Sequence, residues 1–196
     1  MGNLREAQKA LTKDLLLQSG LEMFLRKGYA AATVDDIAKA AGATRTTFYL
    51  HFPSKGELVS QLVGHAHEML VSLEGPPLSD VVESGQQAKI RAWLDSRMSQ
   101  WDAIKPYMIV SYQASHEPDV ASRTEDWYEQ VVQQMATGLE RAGRYTTERR
   151  RVRSLLAFGQ FEYLSRRYFA VGWRSDRQRE VCLEELTDSW LHLLTE

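Results

Sequence analysis

Residues 33–55, TVDDIAKAAGATRTTFYLHFPSK, decide the fold of this chain. Thr33 is placed to N-cap a short helix. Asp36, three residues on, is the carboxylate that reaches back to the cap, and Asp35 and Asp36 both fall in the first turn, where they complement the helix dipole. Val34, Ile37, Ala38 and Ala41 share one apolar face at helical spacing. Gly42 stops the helix, because glycine enters the left-handed region there without a steric penalty. A second short helix, about Thr44 to Leu50, follows at once. With Ala43 and Phe48 turned inward, it leaves Thr44, Arg45, Thr46 and Tyr49 on its outer side. Two helices joined by a short turn containing glycine make a helix-turn-helix, whose second helix is carried into the major groove of a duplex.

Outward from this core, the spacing predicts helices throughout. A first helix runs from about Glu6 or Lys9 to Arg26, with Leu17, Gly20, Leu21 and Phe24 inward, and ends at Gly28. Pro53 breaks the chain, and Ser54 with Glu57 forms a capping box for a fourth helix to about Leu73. Glu74-Gly75-Pro76-Pro77 is the clearest breaker cluster. Further helices are expected over about 79–101, interrupted or kinked near Gly85, and from near Ala103 to Ser115 with Pro106 in its first turn. Three more follow: Pro118 to Ala142, stopped by Gly143; Thr146 or Thr147 to Val171, stopped by Gly172; and a last one to about Leu194, opened by Ser175 with Gln178. No alternating β-branched run is present. The expected fold is all-α, with about nine helices. A three-helix helix-turn-helix DNA-binding domain spans residues 1–56, and a larger helical ligand-binding and dimerisation domain spans 57–196.

Composition agrees once the chain is divided. A sequence that is 43% hydrophobic and 26% charged is that of an ordinary globular protein. The net charge of −2 argues against a DNA binder until it is split. Residues 1–56 hold eight Lys or Arg against five Asp or Glu, a balance of +3, and the remainder carries −5. Phosphate attraction is therefore concentrated at one end, within a Debye length of about 8 to 10 Å. A single cysteine, Cys182, allows no intrachain disulfide and no Cys-x-x-Cys metal site, which fits a reducing cytoplasm. No apolar run approaches the ~20 residues that span a bilayer, and the N-terminus carries no apolar signal core. There is no nucleophile elbow, P-loop, His-Glu-x-x-His or Gly-rich dinucleotide turn, and the His116-Glu117 pair alone is too weak a signal. The chain is expected not to be an enzyme and to need no cofactor and no metal.

Arg45 is the strongest candidate for reading bases, since a guanidinium at the start of a recognition helix bonds bidentately to guanine O6 and N7. The plain alternative is a surface ion pair. Thr44 and Thr46 offer hydroxyls and methyls to base edges or phosphate, with Thr44 also able to serve as N-cap. Tyr49, His51 and Lys55 carry donors suited to phosphate, which fixes register without carrying sequence. Thr33 stands at a helix N-terminus where an anion is favoured, and its purely structural role as a cap is equally natural. Thr47 either meets DNA or fills the turn against the preceding helix.

The run LEMFLRKGYAAATVDDIAKAAGATRTTFYLHFPSKGEL, residues 21–58, has Phe24 and Gly28-Tyr29 closing one helix, a Thr-capped second helix and the Ala41-Gly42 turn. Phe48-Tyr49-x-His51-Phe52 and Ser54-Lys55 follow in fixed register. Residues from about 12 to 58 resemble the DNA-binding domain of the tetracycline-repressor (TetR) family of bacterial regulators. The likeness covers roughly a quarter of the chain, and the rest matches only in length and helical character. It implies a homodimer that holds two recognition helices about 34 to 36 Å apart on a pseudo-palindromic operator in double-stranded DNA. It also implies phosphate contacts from the aromatic, His and Lys positions, and a repressor released by a small-molecule inducer. An activator, or a regulator without an inducer, is the alternative.

The resemblance further implies an inducer pocket in the C-terminal part. Trp101, Tyr107, Tyr112, Trp127, Phe158, Phe161 and Glu162 are the candidate contacts, although aromatic residues in a helical domain are more often plain core. If buried, Glu162 needs a partner, either a ligand or Arg166. The last two helices are where the family dimerises. Leu155, Phe158, Glu162, Leu164 and Phe169 on one, with Leu183, Leu186, Trp190, Leu193 and Leu194 on the other, offer more apolar surface than one packing face needs.

Overall fold

Helix caps and breakers divide the chain into ten helices in the computed structural model, which describes residues 2–195 and the side chains from Leu4 onward. They are α1 (Gly2–Lys27), α2 (Val34–Ala40), α3 (Arg45–His51), α4 (Lys55–Val71), α5 (Leu78–Ser84), α6 (Gln87–Met98), α7 (Trp101–Gln113), α8 (Pro118–Arg141), α9 (Thr147–Val171) and α10 (Asp176–Thr195). The described residues contain no strand, so the all-α expectation holds. The count is one higher than expected because Gly85 ends α5 outright, at φ +60°, instead of kinking a longer helix. α1 also begins earlier than expected, since nothing before Glu6 breaks a helix.

The chain forms two compact units, Met1–Glu68 with Ile104–Thr124, and Met69–Ala103 with Glu125–Glu196. In the first, Leu16, Gly20, Met23 and Phe24 face inward from α1, a stripe set at i, i+4, i+7 and i+8. Gly20 lets α4 come close, for a Cβ there would stand 2.8 Å from Leu58 Cδ2. Ile37 and Ala38 of α2, Phe48 of α3, Phe52, and Leu58, Val59, Leu62 and Val63 of α4 complete this core. Arg123 of α8 donates from Nε to the buried Ser60 hydroxyl of α4 at 2.9 Å. Ser54 caps α4 by accepting from Glu57 N at 2.9 Å. The Glu57 carboxylate is engaged by Gln61 at 2.7 Å.

In the second unit, α10 packs on α6 and α9. Trp190 is fully buried, donates from Nε1 to the Ala157 carbonyl at 2.9 Å and stacks on Trp93 at 5.7 Å. Arg144 ties the α8–α9 loop to α5 through the Val82 carbonyl at 2.8 Å. Ion pairs Arg91–Glu180 and Arg179–Asp95 join α6 to α10 at the surface. Of the apolar residues on the last two helices, Phe169, Leu183, Leu186, Trp190 and Leu194 fill this unit's own core. The face α9 leaves bare carries Val152, Leu155, Leu156 and Tyr163, with Gly159 between them.

Candidate nucleic-acid interface

Thr33 caps α2 in a full capping box. Its hydroxyl accepts from Asp36 N at 3.1 Å, and the Asp36 carboxylate accepts from Thr33 N at 3.1 Å. Lys27 Nζ adds a contact to Asp36 at 2.9 Å. Chiefly through the Lys27 hydrogen bond, and then those from Thr33, the Asp36 carboxyl is pulled down to about 2. At the other end of α2, Ala43 N donates to Ala38 O at 2.8 Å and Gly42 N to Lys39 O at 3.2 Å, the two bonds of a Schellman stop. The stop needs a left-handed residue, and Gly42 supplies φ +66°.

That turn delivers α3. Thr44 is its N-cap, accepting from Thr47 N at 3.1 Å, and the two threonine hydroxyls meet at 2.9 Å. Thr44 thus acts as cap while remaining exposed, and Thr47 is half-buried beneath it. Phe48 is fully buried, 5.6 Å from the Phe52 ring, and fixes which side of α3 faces out. Thr44, Arg45, Thr46, Tyr49 and Leu50 form the exposed side.

Arg45 reaches Asp35 of α2 at 3.1 Å, with 60% and 63% of the two side chains exposed, and lies 5.6 Å from the Tyr49 ring centroid. The Asp35 carboxylate raises the Arg45 pKa further above its ordinary value. A pair so exposed is screened by water and yields readily to a stronger acceptor. His51 is half-buried. Burial, and then the Lys9 and Lys13 charges of α1, push its pKa below the ordinary value, so it meets neutral pH as an uncharged donor.

Lys55 is placed differently from its neighbours. Its ammonium donates inward to the carbonyls of Tyr29 at 2.9 Å and Ala32 at 2.8 Å and sits 4.5 Å from the Tyr29 ring centroid. Two of its three donors therefore strap the α1–α2 turn to the start of α4. Tyr29 is held from the other side as well. Its N–H donates to Gln113 Oε1 of α7 at 2.9 Å, and its hydroxyl donates to Glu117 Oε1 at 2.8 Å. Burial first, then the Glu117 hydrogen bond, raises the Tyr29 pKa. Sequence spacing did not reveal this hub, nor Asp35 as the partner of Arg45.

The expected ligand contacts fall into separate groups. In the second unit Trp101 is buried among Phe161 at 5.4 Å, Tyr168 at 5.4 Å and Trp173 at 5.6 Å. The Tyr168 hydroxyl donates to Asp102, and burial followed by that bond pushes its pKa up to about 12. Trp127 and Phe158 lie 6.1 Å and 5.2 Å from Tyr128, whose hydroxyl donates to Glu162 at 3.2 Å. Glu162 thus has a tyrosine hydroxyl among its partners, one that the sequence did not single out. In the first unit Tyr107 packs against His65 at 5.5 Å, and the Tyr112 hydroxyl is buried.

A capped helix, a glycine turn and a second helix bare on its outer side define the chain as a helix-turn-helix protein. The family model described as bacterial regulatory proteins, tetR family, matches residues 16–62. The HTH-type transcriptional regulator TcmR of Streptomyces glaucescens is 34% identical over 92 residues, 46% of this chain and 41% of TcmR. TtgW of Pseudomonas putida, an uncharacterized HTH-type transcriptional regulator, is 30% identical over 96 residues, 49% of this chain and 70% of TtgW. The matched part thus spans less than half the length of TcmR. The crystal structure of NalD, the secondary repressor of the MexAB-OprM multidrug efflux pump in Pseudomonas aeruginosa, shares the fold with a TM-score of 0.68. That likeness covers 93% of this chain and 96% of that one at 18% identity. The chain belongs to the TetR family. Among its described residues, no helix is long and apolar enough to cross a membrane.

Proposed function

We propose that the chain is a cytoplasmic, homodimeric transcriptional repressor that binds a pseudo-palindromic operator and is released by a small-molecule inducer. The observation that carries this is the outer side of α3, where Thr44, Arg45, Thr46 and Tyr49 stand exposed over a fully buried Phe48. On this reading residues 1–56 bind DNA, residues 57–196 bind ligand and dimerise, and the role is regulatory, not catalytic. Arg45 leaves Asp35 for a base edge, and Thr46 reads beside it. Tyr49, His51 and the third donor of Lys55 hold phosphates, and Thr33, Thr44 and Thr47 present capped helix N-termini to the backbone. The bare α9 strip of Val152, Leu155, Leu156 and Tyr163 supports the dimer. TcmR bears the name of a transcriptional regulator, which supports the regulatory role.

The test is fluorescence anisotropy with DNA from upstream of the chain's own gene. Arg45→Ala should abolish discrimination between that DNA and a scrambled duplex, while the melting temperature moves little because the pair it breaks is exposed. Retained discrimination sinks the assignment.

A further inference from the structure

A cavity of about 390 Å³ opens in the second unit, lined by Pro76 of the α4–α5 loop, Val81 of α5, and Lys89, Ala92, Trp93 and Arg97 of α6. Small-molecule pockets span about 300 to 1,000 Å³, so the volume suits a compact ligand. None of the seven side chains expected from the sequence to touch a ligand lines it.

Two donors set this cavity apart. Trp93 Nε1 and Arg97 Nη1 are both buried with no acceptor. They stand one turn apart on α6, with the guanidinium 5.0 Å from the indole ring centroid. The indole is held in place by Trp190, stacked at 5.7 Å, and Phe161 at 6.1 Å. Burial lowers the Arg97 pKa. A guanidinium nevertheless keeps its proton at neutral pH, so this half-buried cation has a donor, Nη1, that meets neither water nor an acceptor. The nearby acids do not answer this need. Asp80 is taken by Arg141 at 3.0 Å, and Glu74 stands exposed on the loop. With Asp80 neutralised, Lys89 and Arg97 outweigh Glu74 by one positive charge, which matches a monoanion. Beside these charged groups, Gly75 and the Ser96 hydroxyl, the lining from Pro76, Val81, Ala92 and the Trp93 ring is apolar.

We propose that this cavity binds a small amphipathic carboxylate, whose anionic end accepts from Arg97 and Trp93 and whose apolar body lies along Pro76, Val81 and Ala92. The planar guanidinium fork matches a carboxylate bidentately, and the indole N–H adds a third donor. That such a ligand acts as the effector rests on the repressor reading, whereas its binding does not.

The test is isothermal titration calorimetry of the full chain with 2-naphthoate. The neutral 2-naphthamide serves as isostere, and acetate and inorganic phosphate serve as anions without the apolar body. One naphthoate per chain is expected, with the amide, acetate and phosphate each weaker by about tenfold or more. Arg97→Met should weaken naphthoate by a similar factor. It should also hold or raise the melting temperature of the ligand-free protein, because it removes a half-buried cation with an unsatisfied donor. Trp93→Phe should weaken naphthoate several-fold. The proposal is overturned if acid and amide bind equally, if neither naphthoate nor decanoate binds, if Arg97→Met leaves naphthoate affinity unchanged, or if it lowers the ligand-free melting temperature. Anisotropy with operator DNA separates the two readings. Naphthoate that binds without changing operator affinity counts against the effector role, and intact operator binding with neither naphthoate nor decanoate bound counts against the site.

Discussion

Replacing Lys55 with Met keeps the length and most of the stem of the side chain and deletes only the ammonium. Three contacts vanish: the bonds to the Tyr29 and Ala32 carbonyls at 2.9 and 2.8 Å, and the ammonium over the Tyr29 ring at 4.5 Å. Hydrogen bonds to a charged group contribute about 1.5 to 3 kcal/mol each, and a cation over an aromatic ring adds about 0.5 to 1. Lys55 is only half-buried and water can reach the freed carbonyls in part, so the lower end applies, about 2 to 4 kcal/mol in all. That is a large share of a typical stability of about 5 to 15 kcal/mol. With a urea dependence of about 2 kcal/mol per molar, the middle of the usual range, the unfolding midpoint should fall by about 1 to 2 M, followed by circular dichroism. The proposed phosphate contact makes a separate claim. The slope of log affinity against log salt for operator DNA should become shallower by about 0.9, an effect that mere loosening of the fold does not produce. A midpoint within 0.2 M of the parent would refute the strap, and an unchanged slope would remove Lys55 from the DNA contacts.

Gly138→Ala should cost about 3 kcal/mol or more in thermal melting, because its Cβ would stand 2.4 Å from the Ser79 carbonyl oxygen and 2.8 Å from Val82 Cβ, where backbone must give way. Leu156→Glu combined with Tyr163→Glu, both on the bare side of α9, should convert dimer to monomer in sedimentation and weaken operator binding with little change in helix content. The Asp36 carboxyl sits at about 2, below its unfolded value of about 3.9, so it stabilises the fold above pH 4 and loses that contribution as pH falls through 2. Asp36→Asn should therefore flatten stability against pH between about 4 and 2, read from urea midpoints, and an acid limb identical to the parent's would show that the capping box does not titrate.

Where the chain was legible from sequence, the signals were local. The Thr33 cap, the Gly42 stop and the inward Phe48 each depend on residues within five positions, and together they set the bare side of α3. The partners of the exposed residues were not local. Asp35 meets Arg45 only because α2 and α3 cross as they do, and Lys55 reaches back 26 and 23 residues to its carbonyls. Spacing ranked these side chains by chemistry and could not say what already held them. The C-terminal aromatics resisted for another reason. The resemblance pointed to Trp101 and Phe161 as ligand contacts and to Phe169 as part of the apolar surface of the last two helices, yet spacing does not say whether protein or ligand covers them, and here Trp101 and Phe169 are buried by the protein's own side chains. Trp93 stood out in the sequence only as one of many C-terminal aromatics, and Arg97, one turn on, not at all, since a cation beside an aromatic is common on any helix surface.

The position of Tyr29 bears on how a distant ligand could change DNA affinity. It lies between α1 and α2, so moving it moves the capped start of α2 and, through the Gly42 turn, α3. Three elements hold it: α4 through Lys55, α7 through Gln113, and the residue before α8 through Glu117, with Gly56 of α4 so near that a Cβ would stand 3.1 Å from Glu117 Oε2. α4, α7 and α8 each carry on from the first unit into the second. On the repressor reading, a ligand that favours another placement of those helices must either drag Tyr29 along or break its bonds. Each bond broken costs about 0.5 to 3 kcal/mol, and a coupling of about 1 to 3 kcal/mol already changes affinity 5- to 150-fold. The hub therefore needs to yield only one of its three contacts to account for release, provided the ligand binds the two conformers unequally.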